Sequence, residues 1–258
     1  MMNRMERVFR QNMENGRHSL VLYFPLGDPA LGTDLEGAAL YYENGADVLE
    51  MGLPYEDPVL DGATVRASME RALSKVTLED CFASVKQLRK AYPDNVLQFM
   101  TYFGNVAKYG VERFAEICHE CDVDAVLAPD ATPEQLHALD EALGEYNIFN
   151  LRFANYTHTR EMLMDLKANA KGYIFQQAVN GATGPQKTVD PQVRVNVKAI
   201  KEFGITTPCF AGFGIDKPEQ AAEVCEMGAD GIIVGSATLS HLLAGDAADY
   251  IKSLSDVM

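Results

Sequence analysis

The chain has 258 residues, of which 47% are hydrophobic and 23% charged, a composition typical of globular proteins and unlike that of disordered ones. Its 22 Lys and Arg residues against 37 Asp and Glu give a formal net charge of −15, which argues against nucleic acid as a partner because most of the surface would repel phosphates. The longest apolar runs fall far short of the roughly 20 residues that a membrane-spanning helix needs, so we expect no membrane segment.

Residues 1–16 mix Arg and Glu with apolar residues and contain no apolar signal core. We expect this segment to form an additional N-terminal helix that covers one end of the main fold. The five cysteines, an odd number in a long chain, fit free thiols in a reducing compartment better than a disulfide framework. Together these features predict a cytoplasmic protein.

Eight short apolar runs follow along the chain, each nearly continuous, as expected for strands that are covered on both faces. Three of them share one design, in which a helix ends at a small or polar residue and a strand begins directly after it. The runs lie at residues 19–24, 96–102, 148–153, 173–178 and 208–213, and within 44–52, 121–128 and 228–235.

Amphipathic stretches of helix length separate these runs, and several begin with Thr or Pro, as helix starts prefer. They cover residues 34–42, 77–90, 111–120, 133–143, 159–168, 191–202 and 218–227, with a last one at 246–257. Eight strands alternating with helices, and no linker or low-complexity tract, favour one (β/α)8 TIM barrel over an open doubly wound sheet. We therefore predict an α/β protein whose residues 1–258 form a single barrel domain.

A phosphate site is predicted after the last two strands, where barrels commonly bind phosphate. Gly212, Phe213 and Gly214 follow one strand, and Gly235 and Ser236 follow the next. Glycines let the backbone approach an anion, and free amides at the start of a helix near Ser236 supply donors. One such glycine pair alone is more often a tight turn, but two on consecutive strands favour a binding site.

Glu50 interrupts the second apolar run near its carboxyl end. A side chain at this position can face the barrel lumen, where burial would raise the pKa of the carboxyl group and suit it to proton transfer near neutral pH. The alternative is a polar barrel residue whose carboxyl is satisfied by a neighbouring hydroxyl or amide.

Asp61 lies eleven positions later, on the loop that follows this strand. Two carboxyl groups over one pocket could divide their work, one transferring protons while the other stays ionised. The alternative is an ordinary acidic surface loop. Further along, the glycines and Thr183 within 180–185 fit either a mobile lid or a merely flexible turn.

No metal site or hydrolase triad is predicted. Cys118 and Cys121 have the spacing of half a zinc site, but no second pair of His or Cys ligands accompanies them. We interpret them as thiols at a helix end. The isolated histidines have no neighbouring nucleophile motif.

These motifs occur in the order and at the spacing of a known family, and the chain resembles the tryptophan synthase α subunit family from end to end. The acidic motif on the second strand, its loop and the two phosphate motifs together are not a general barrel pattern. The matching segments are 26–29 (LGDP), 49–58 (LEMGLPYEDP), 61–62 (DG), 100–102 (MTY), 129–130 (PD), 180–184 (NGATG), 212–215 (GFGI) and 234–237 (VGSA).

The resemblance implies a carbon–carbon lyase that cleaves indole-3-glycerol phosphate to indole and glyceraldehyde 3-phosphate in tryptophan biosynthesis. It implies that Glu50 transfers the protons and that Asp61 stabilises the positive indole nitrogen. It further implies a substrate-binding set that holds the phosphate, closes a lid and forms the wall of the indole pocket: Tyr23, Tyr102, Leu127, Thr183, Gly184, Gly212, Phe213, Gly214, Gly235 and Ser236.

The resemblance implies no cofactor for this step. Pyridoxal phosphate would belong to a partner β subunit, in an α2β2 heterotetramer that this chain would contact through Pro54, Asp57, Gly104 and Asn105. The chain departs from the usual family residues at Pro25, Glu56, Ala63, Gly104, Asn105 and Phe175, and Phe175 removes a Tyr hydroxyl that could have bonded Glu50. Arg152 is also unexpected in a strand. Facing inward it could bind a substrate anion, but we expect its side chain to point outward between helices.

Two alternatives remain. One is a stand-alone phosphosugar lyase of the same barrel superfamily, which would release indole quickly without a partner. The other is a non-catalytic homologue that regulates a partner, against which the presence of both Glu50 and Asp61 argues.

Overall fold

The computed structural model describes residues 2–29, 32–181 and 188–258 and contains one parallel sheet that closes on itself almost completely. The sheet order is β5-β4-β3-β2-β1-β9-β8-β7-β6, and every recorded pair is parallel. The strands are β1 (Ser19–Pro25), β2 (Val48–Gly52), β3 (Val96–Met100), β4 (Ala125–Leu127), β5 (Phe149–Asn150), β6 (Arg152–Ala154), β7 (Ile174–Gln177), β8 (Cys209–Gly212) and β9 (Gly231–Val234).

The nine segments occupy eight strand positions, because β5 and β6 are separated only by Leu151. The segment β5 pairs with β4, and β6 pairs with β7. The predicted strand at 148–153 is therefore interrupted at Leu151, where its pairing changes from β4 to β7. The predicted (β/α)8 barrel is confirmed.

Twelve helices occur among the described residues and surround the barrel or cap its ends. They are α1 (Arg4–Glu14), α2 (Asp34–Glu43), α3 (Ala63–Leu73), α4 (Leu78–Ala91), α5 (Phe103–Tyr109), α6 (Val111–Glu120), α7 (Pro133–Gly144), α8 (Arg160–Asn169), α9 (Gln192–Glu202), α10 (Pro218–Glu226), α11 (Ser236–Ala244) and α12 (Ala247–Ser255). The sequence did not predict α3 and α5, which lie in the loops after β2 and β3. The predicted strand at 96–102 ends early for the same reason, since Tyr102 is already the N-cap of α5.

Side-chain caps explain where several helices begin. The hydroxyl of Thr77 accepts from the backbone N–H of Asp80, whose carboxylate accepts from the N–H of Thr77, which forms a capping box at α4. Thr132 and Gln135 form the same arrangement at α7, where Pro133 occupies the first helical position. These caps satisfy amides that the first helical turn would otherwise leave unpaired.

The lower part of the lumen is filled by side chains, and α1 closes it. Phe9 of α1 meets Phe210 at 4.8 Å and Tyr173 at 6.0 Å between ring centroids, both edge to face, while the latter two rings stack at 4.7 Å. The predicted additional helix at the N-terminal end of the barrel is confirmed. A second, larger core lies between the sheet and the outer helices.

Arg152 points away from the lumen, as expected, but it does not reach solvent. Its side chain is 2% exposed and pairs with Asp140 of α7 and with Asp165 of α8, the latter at 3.0 Å from Nε to Oδ2. The two carboxylates, which are partly exposed, compensate the charge of the buried guanidinium. Arg152 therefore links two outer helices.

All five cysteines are buried free thiols, as predicted. Within the described ranges, no helix combines the length and apolar character needed to cross a bilayer. In the same part of the chain, no three His, Cys, Asp or Glu side chains are grouped in a way that could hold a metal ion.

Candidate active site

A cavity opens at the carboxyl ends of the strands, where barrel enzymes place their chemistry. It contains two carboxyl groups, a glycine-lined end and a largely apolar wall. Its lining residues are Tyr23, Glu50, Leu60, Asp61, Val65, Met100, Leu127, Pro129, Phe153, Phe175, Phe213, Gly214, Ile215, Ile233, Gly235 and Ser236.

Glu50 lies at the bottom of this cavity, on β2. Val48, two residues earlier, belongs to the lumen core, so the alternation of a strand turns Glu50 inward as well. The carboxyl is 4% exposed, and its Oε1 accepts a hydrogen bond of 2.9 Å from Nε2 of Gln98 on β3. Burial, and next the charge of Asp61, raise the pKa of Glu50 to about 8.

Asp61 follows β2 on the loop before α3 and faces the same cavity. Its Oδ2 accepts a 2.8 Å hydrogen bond from the hydroxyl of Tyr102, which also accepts from the backbone N–H of Leu60. Burial raises the pKa of Asp61 to about 6, against the lowering effect of the Tyr102 hydrogen bond. Tyr102 thus lies behind Asp61, stacked on Tyr55 at 5.2 Å, and does not line the cavity.

The two carboxyl groups therefore differ in protonation near neutral pH. Glu50 holds its proton up to a pH of about 8, whereas Asp61 loses its proton above a pH of about 6. A neutral acid and an ionised carboxylate in one cavity form a pair that can divide proton transfer and charge stabilisation near pH 7.

The glycine-lined end of the cavity has the features of an anion site. Phe213 and Gly214 both have positive φ angles, 78° and 76°, which turn the backbone sharply after β8. Gly235 is the N-cap of α11, and Ser236 is its first residue, so free amides and the positive end of the helix dipole face this region. Since no Lys, Arg or His is among the described lining residues, an anion here would be held by backbone amides.

Gly212 supports this end without lining it. A Cβ atom at this position would come within 2.6 Å of Cζ of Phe175, so the glycine makes room for that ring. Thr183 and Gly184, predicted as parts of the lid and the phosphate site, lie outside the described residues.

An apolar wall faces the carboxyl groups. Leu127, Phe213 and Tyr23, three of the residues that the resemblance implies for the indole pocket, line it. The hydroxyl of Tyr23 has a pKa well above its usual range because of burial and the nearby carboxyls. Phe213 meets Phe153 at 5.9 Å and Phe175 at 5.5 Å between ring centroids. This wall and the buried rings suit a flat aromatic substrate group.

Several residues of the site were missed by sequence reasoning. Met100, Phe153 and Ile233 line the cavity, and Gln98 holds Glu50. The signal for Gln98 was present, since it is a polar residue in the middle of an apolar run, as Glu50 is.

The four residues predicted at a partner surface lie on the loop after β2, which carries Pro54 and Asp57, and in the first turn of α5, which carries Gly104 and Asn105. Asp57 is exposed, whereas Pro54 and Asn105 are buried, and Gly104 is half-buried against the ring of Tyr55. Asn105 donates a 3.1 Å hydrogen bond from Nδ2 to the carbonyl of Pro54 and so joins α5 to the loop after β2.

Comparison with known proteins agrees with this geometry. The family model of the tryptophan synthase alpha chain matches residues 9–256. The tryptophan synthase alpha chain of Geobacter sulfurreducens is 34% identical, with 100% of this chain and 99% of the relative covered. That of Leifsonia xyli subsp. xyli is 35% identical, with 96% and 94% covered. A solved structure of Mycobacterium tuberculosis tryptophan synthase is similar with a TM-score of 0.90 at 27% identity, covering 100% of this chain and 98% of that chain.

Proposed function

This chain belongs to the tryptophan synthase alpha chain family, and on that premise we propose that Glu50 and Asp61 carry out the family's reaction in the cavity described above. The chain is a lyase of tryptophan biosynthesis, and the reaction cleaves indole-3-glycerol phosphate to indole and glyceraldehyde 3-phosphate. The observation that carries the proposal is the presence of both buried carboxyl groups in one cavity with a glycine-lined anion site.

Glu50 begins the reaction as a neutral acid. It gives its proton to the indole carbon that bears the side chain, which leaves a positive charge on the ring nitrogen. Ionised Asp61 stabilises that charge because opposite charges attract strongly where water is excluded.

Glu50, now ionised, then removes the proton from the hydroxyl on the adjacent side-chain carbon. The carbon–carbon bond breaks, its electron pair returns to the ring and neutralises the nitrogen, and the former alcohol becomes the aldehyde of glyceraldehyde 3-phosphate. The proton taken up restores Glu50 to its neutral form, so both carboxyl groups return to their initial protonation states.

The phosphate is held at the glycine-lined end of the cavity. We propose that the backbone amides of Gly214, Gly235 and Ser236 donate to it. The phosphate contact of Gly184 and the lid role of Thr183, which the resemblance implies, concern residues outside the described part of the chain. The indole ring packs against Tyr23, Leu127 and Phe213. Tyr102 does not touch the ring but orients Asp61 through the hydrogen bond from its hydroxyl.

The chain works with a partner and needs no cofactor of its own for this step. The partner is a tryptophan synthase β subunit carrying pyridoxal phosphate, in an α2β2 heterotetramer, with Pro54, Asp57, Gly104 and Asn105 at the contact. In support, one solved structure that is similar to this chain is described as Mycobacterium tuberculosis tryptophan synthase, without restriction to the alpha chain.

The test is indole release from indole-3-glycerol phosphate by metal-free protein, with and without a cognate β subunit. We expect Glu50→Gln to lower turnover by about a thousandfold or more while glyceraldehyde 3-phosphate still binds, because the amide cannot transfer a proton. Glu56→Gln, which changes an exposed carboxyl on the neighbouring loop, serves as the matched control in the absence of the β subunit. Turnover retained by Glu50→Gln would refute the mechanism, and fast wild-type turnover unaffected by the β subunit would indicate a stand-alone lyase.

A further inference from the structure

Gln98 is a fully buried polar residue that faces the lumen next to Glu50. It lies on β3 in register with Glu50 on β2, and Val96, two residues earlier, belongs to the lumen core. A buried amide destabilises a protein unless both of its ends are hydrogen bonded. Nε2 of Gln98 donates to Oε1 of Glu50 at 2.9 Å. Oε1 of Gln98 accepts from the hydroxyl of Tyr173 at 3.0 Å.

Tyr173 fixes the direction of this amide. Its ring is fully buried, stacked on Phe210 and in edge contact with Phe9 of α1, so its hydroxyl has little freedom to move. A hydroxyl that donates to the carbonyl oxygen of Gln98 leaves only the amide nitrogen to face Glu50. The three side chains thus form a chain of hydrogen bonds across the lumen that ends on one oxygen of the catalytic carboxyl.

This arrangement distinguishes the two oxygens of Glu50. Oε1 accepts from Gln98 and so is held against β3, which leaves Oε2 as the oxygen that Gln98 does not engage. A carboxyl that must give a proton to one atom and take one from its neighbour benefits from a fixed orientation, because misplacement by about 1 Å can reduce the rate roughly a hundredfold.

We propose that Gln98, oriented by Tyr173, is a positioning residue of the lyase reaction that anchors Oε1 of Glu50 and makes Oε2 the oxygen that gives and takes the proton. The inference rests on the proposed function of Glu50. It assigns to Gln98 no contact with the substrate, in keeping with its place outside the cavity lining.

The other groups that face Glu50 determine whether the pKa of Glu50 rises or falls when the hydrogen bond from Gln98 is lost. They are Tyr23 from β1, Asp61 from the loop after β2 and Tyr173 from across the lumen. None of them is cationic. Burial and Asp61 raise the pKa of Glu50, and the hydrogen bond from Gln98 lowers it, so loss of that bond raises the pKa further.

The experiment compares wild type with Gln98→Leu and Tyr173→Phe. The carboxyl of Glu50 is titrated by carbon-13 NMR, with Glu50→Gln used to assign its signal, and kcat and KM for indole release are measured from pH 6 to 10. For Gln98→Leu we expect the titration and the alkaline limb of kcat to move up by about one pH unit. We also expect kcat to fall about tenfold or more, with KM within about twofold of wild type.

Tyr173→Phe keeps the ring and removes only the hydroxyl, so it provides a variant that is expected to fold normally. It should move the Glu50 titration in the same direction by a smaller amount, because the amide of Gln98 loses its fixed orientation. Gln176→Leu is the matched control, since Gln176 is also a buried strand glutamine but its amide contacts His158 and the carbonyl of Asn155 instead. It should leave the titration of Glu50 unchanged.

An unchanged Glu50 titration in both Gln98→Leu and Tyr173→Phe would overturn the inference, and so would a fall in kcat without any shift of the alkaline limb. Failure of the proposed function would be recognised separately. In that case Glu50→Gln would still release indole, while the NMR titration would still report whether Gln98 controls the carboxyl.

Discussion

At the scale of single residues, Glu50 is held in an environment that its ionised form does not favour. The ordinary pKa of the side chain is 4.5, and in the folded protein it is about 8. Between these values the unfolded chain releases the proton while the folded chain keeps it. Stability from this group therefore falls as the pH rises from about 4.5 to about 8, because ionising the buried carboxyl in the folded state is unfavourable.

Glu50→Gln removes this titration, so we expect the variant to gain stability over wild type as the pH rises. The difference in unfolding free energy between the two should grow by on the order of 4 kcal/mol between pH 4 and pH 9. Urea unfolding at both pH values measures it. Glu56→Gln, whose carboxyl is exposed, should show no such trend, and an equally flat difference for Glu50→Gln would mean that Glu50 ionises freely in the folded protein.

How far the sequence predicts individual residues depends on whether they break a pattern. Glu50 could be found because a charge interrupts an apolar run, and the glycines because they cluster after two consecutive strands. Phe153 and Ile233 could not, since an apolar residue in an apolar run gives no sign of whether it fills the core or lines a cavity. The position of Tyr102 behind Asp61 also depends on how two loops pack, which the sequence does not encode locally.

At the scale of helices and strands, most of the prediction came from the alternation of strand-like and helix-like segments along the chain. Continuous apolar runs separated by amphipathic stretches were sufficient to predict eight strand positions. The helix α3 was missed because its N-cap, Gly62, provides no side-chain cap, and α5 because it has only seven residues. The break at Leu151 follows from barrel closure, a property of the whole sheet that no local pattern indicates.

The helix α1 is an element whose role can be tested by one substitution. Phe9→Ala removes the ring that contacts Tyr173 and Phe210, and we expect it to lower the unfolding free energy by about 3–5 kcal/mol. Met13→Ala on the same helix, where the side chain is 68% exposed, should change stability by less than about 0.5 kcal/mol.

Thermal or urea unfolding followed by circular dichroism measures both variants. If residues 1–258 form a single domain, as we propose, Phe9→Ala should shift one cooperative transition of the whole protein. A separate early transition, with the barrel unaffected, would show that α1 is an independent appendage.

At the scale of the whole molecule, the barrel brings to one end residues that are distant in sequence. Glu50 and Asp61 come from β2 and its loop, whereas the anion site comes from the loops after β8 and β9. Among the described residues that line the cavity none is cationic, so we expect backbone amides and the dipole of α11 to bind the phosphate. The fold thereby sets the distance between the proton donor and the phosphate.

The most direct test is a crystal structure of the Glu50→Gln variant with indole-3-glycerol phosphate bound. We predict the phosphate at the amides of Gly214, Gly235 and Ser236, and the indole carbon that accepts the proton within about 3–3.5 Å of the side-chain amide at position 50. A phosphate bound elsewhere, or an indole ring turned away from position 50, would contradict the account.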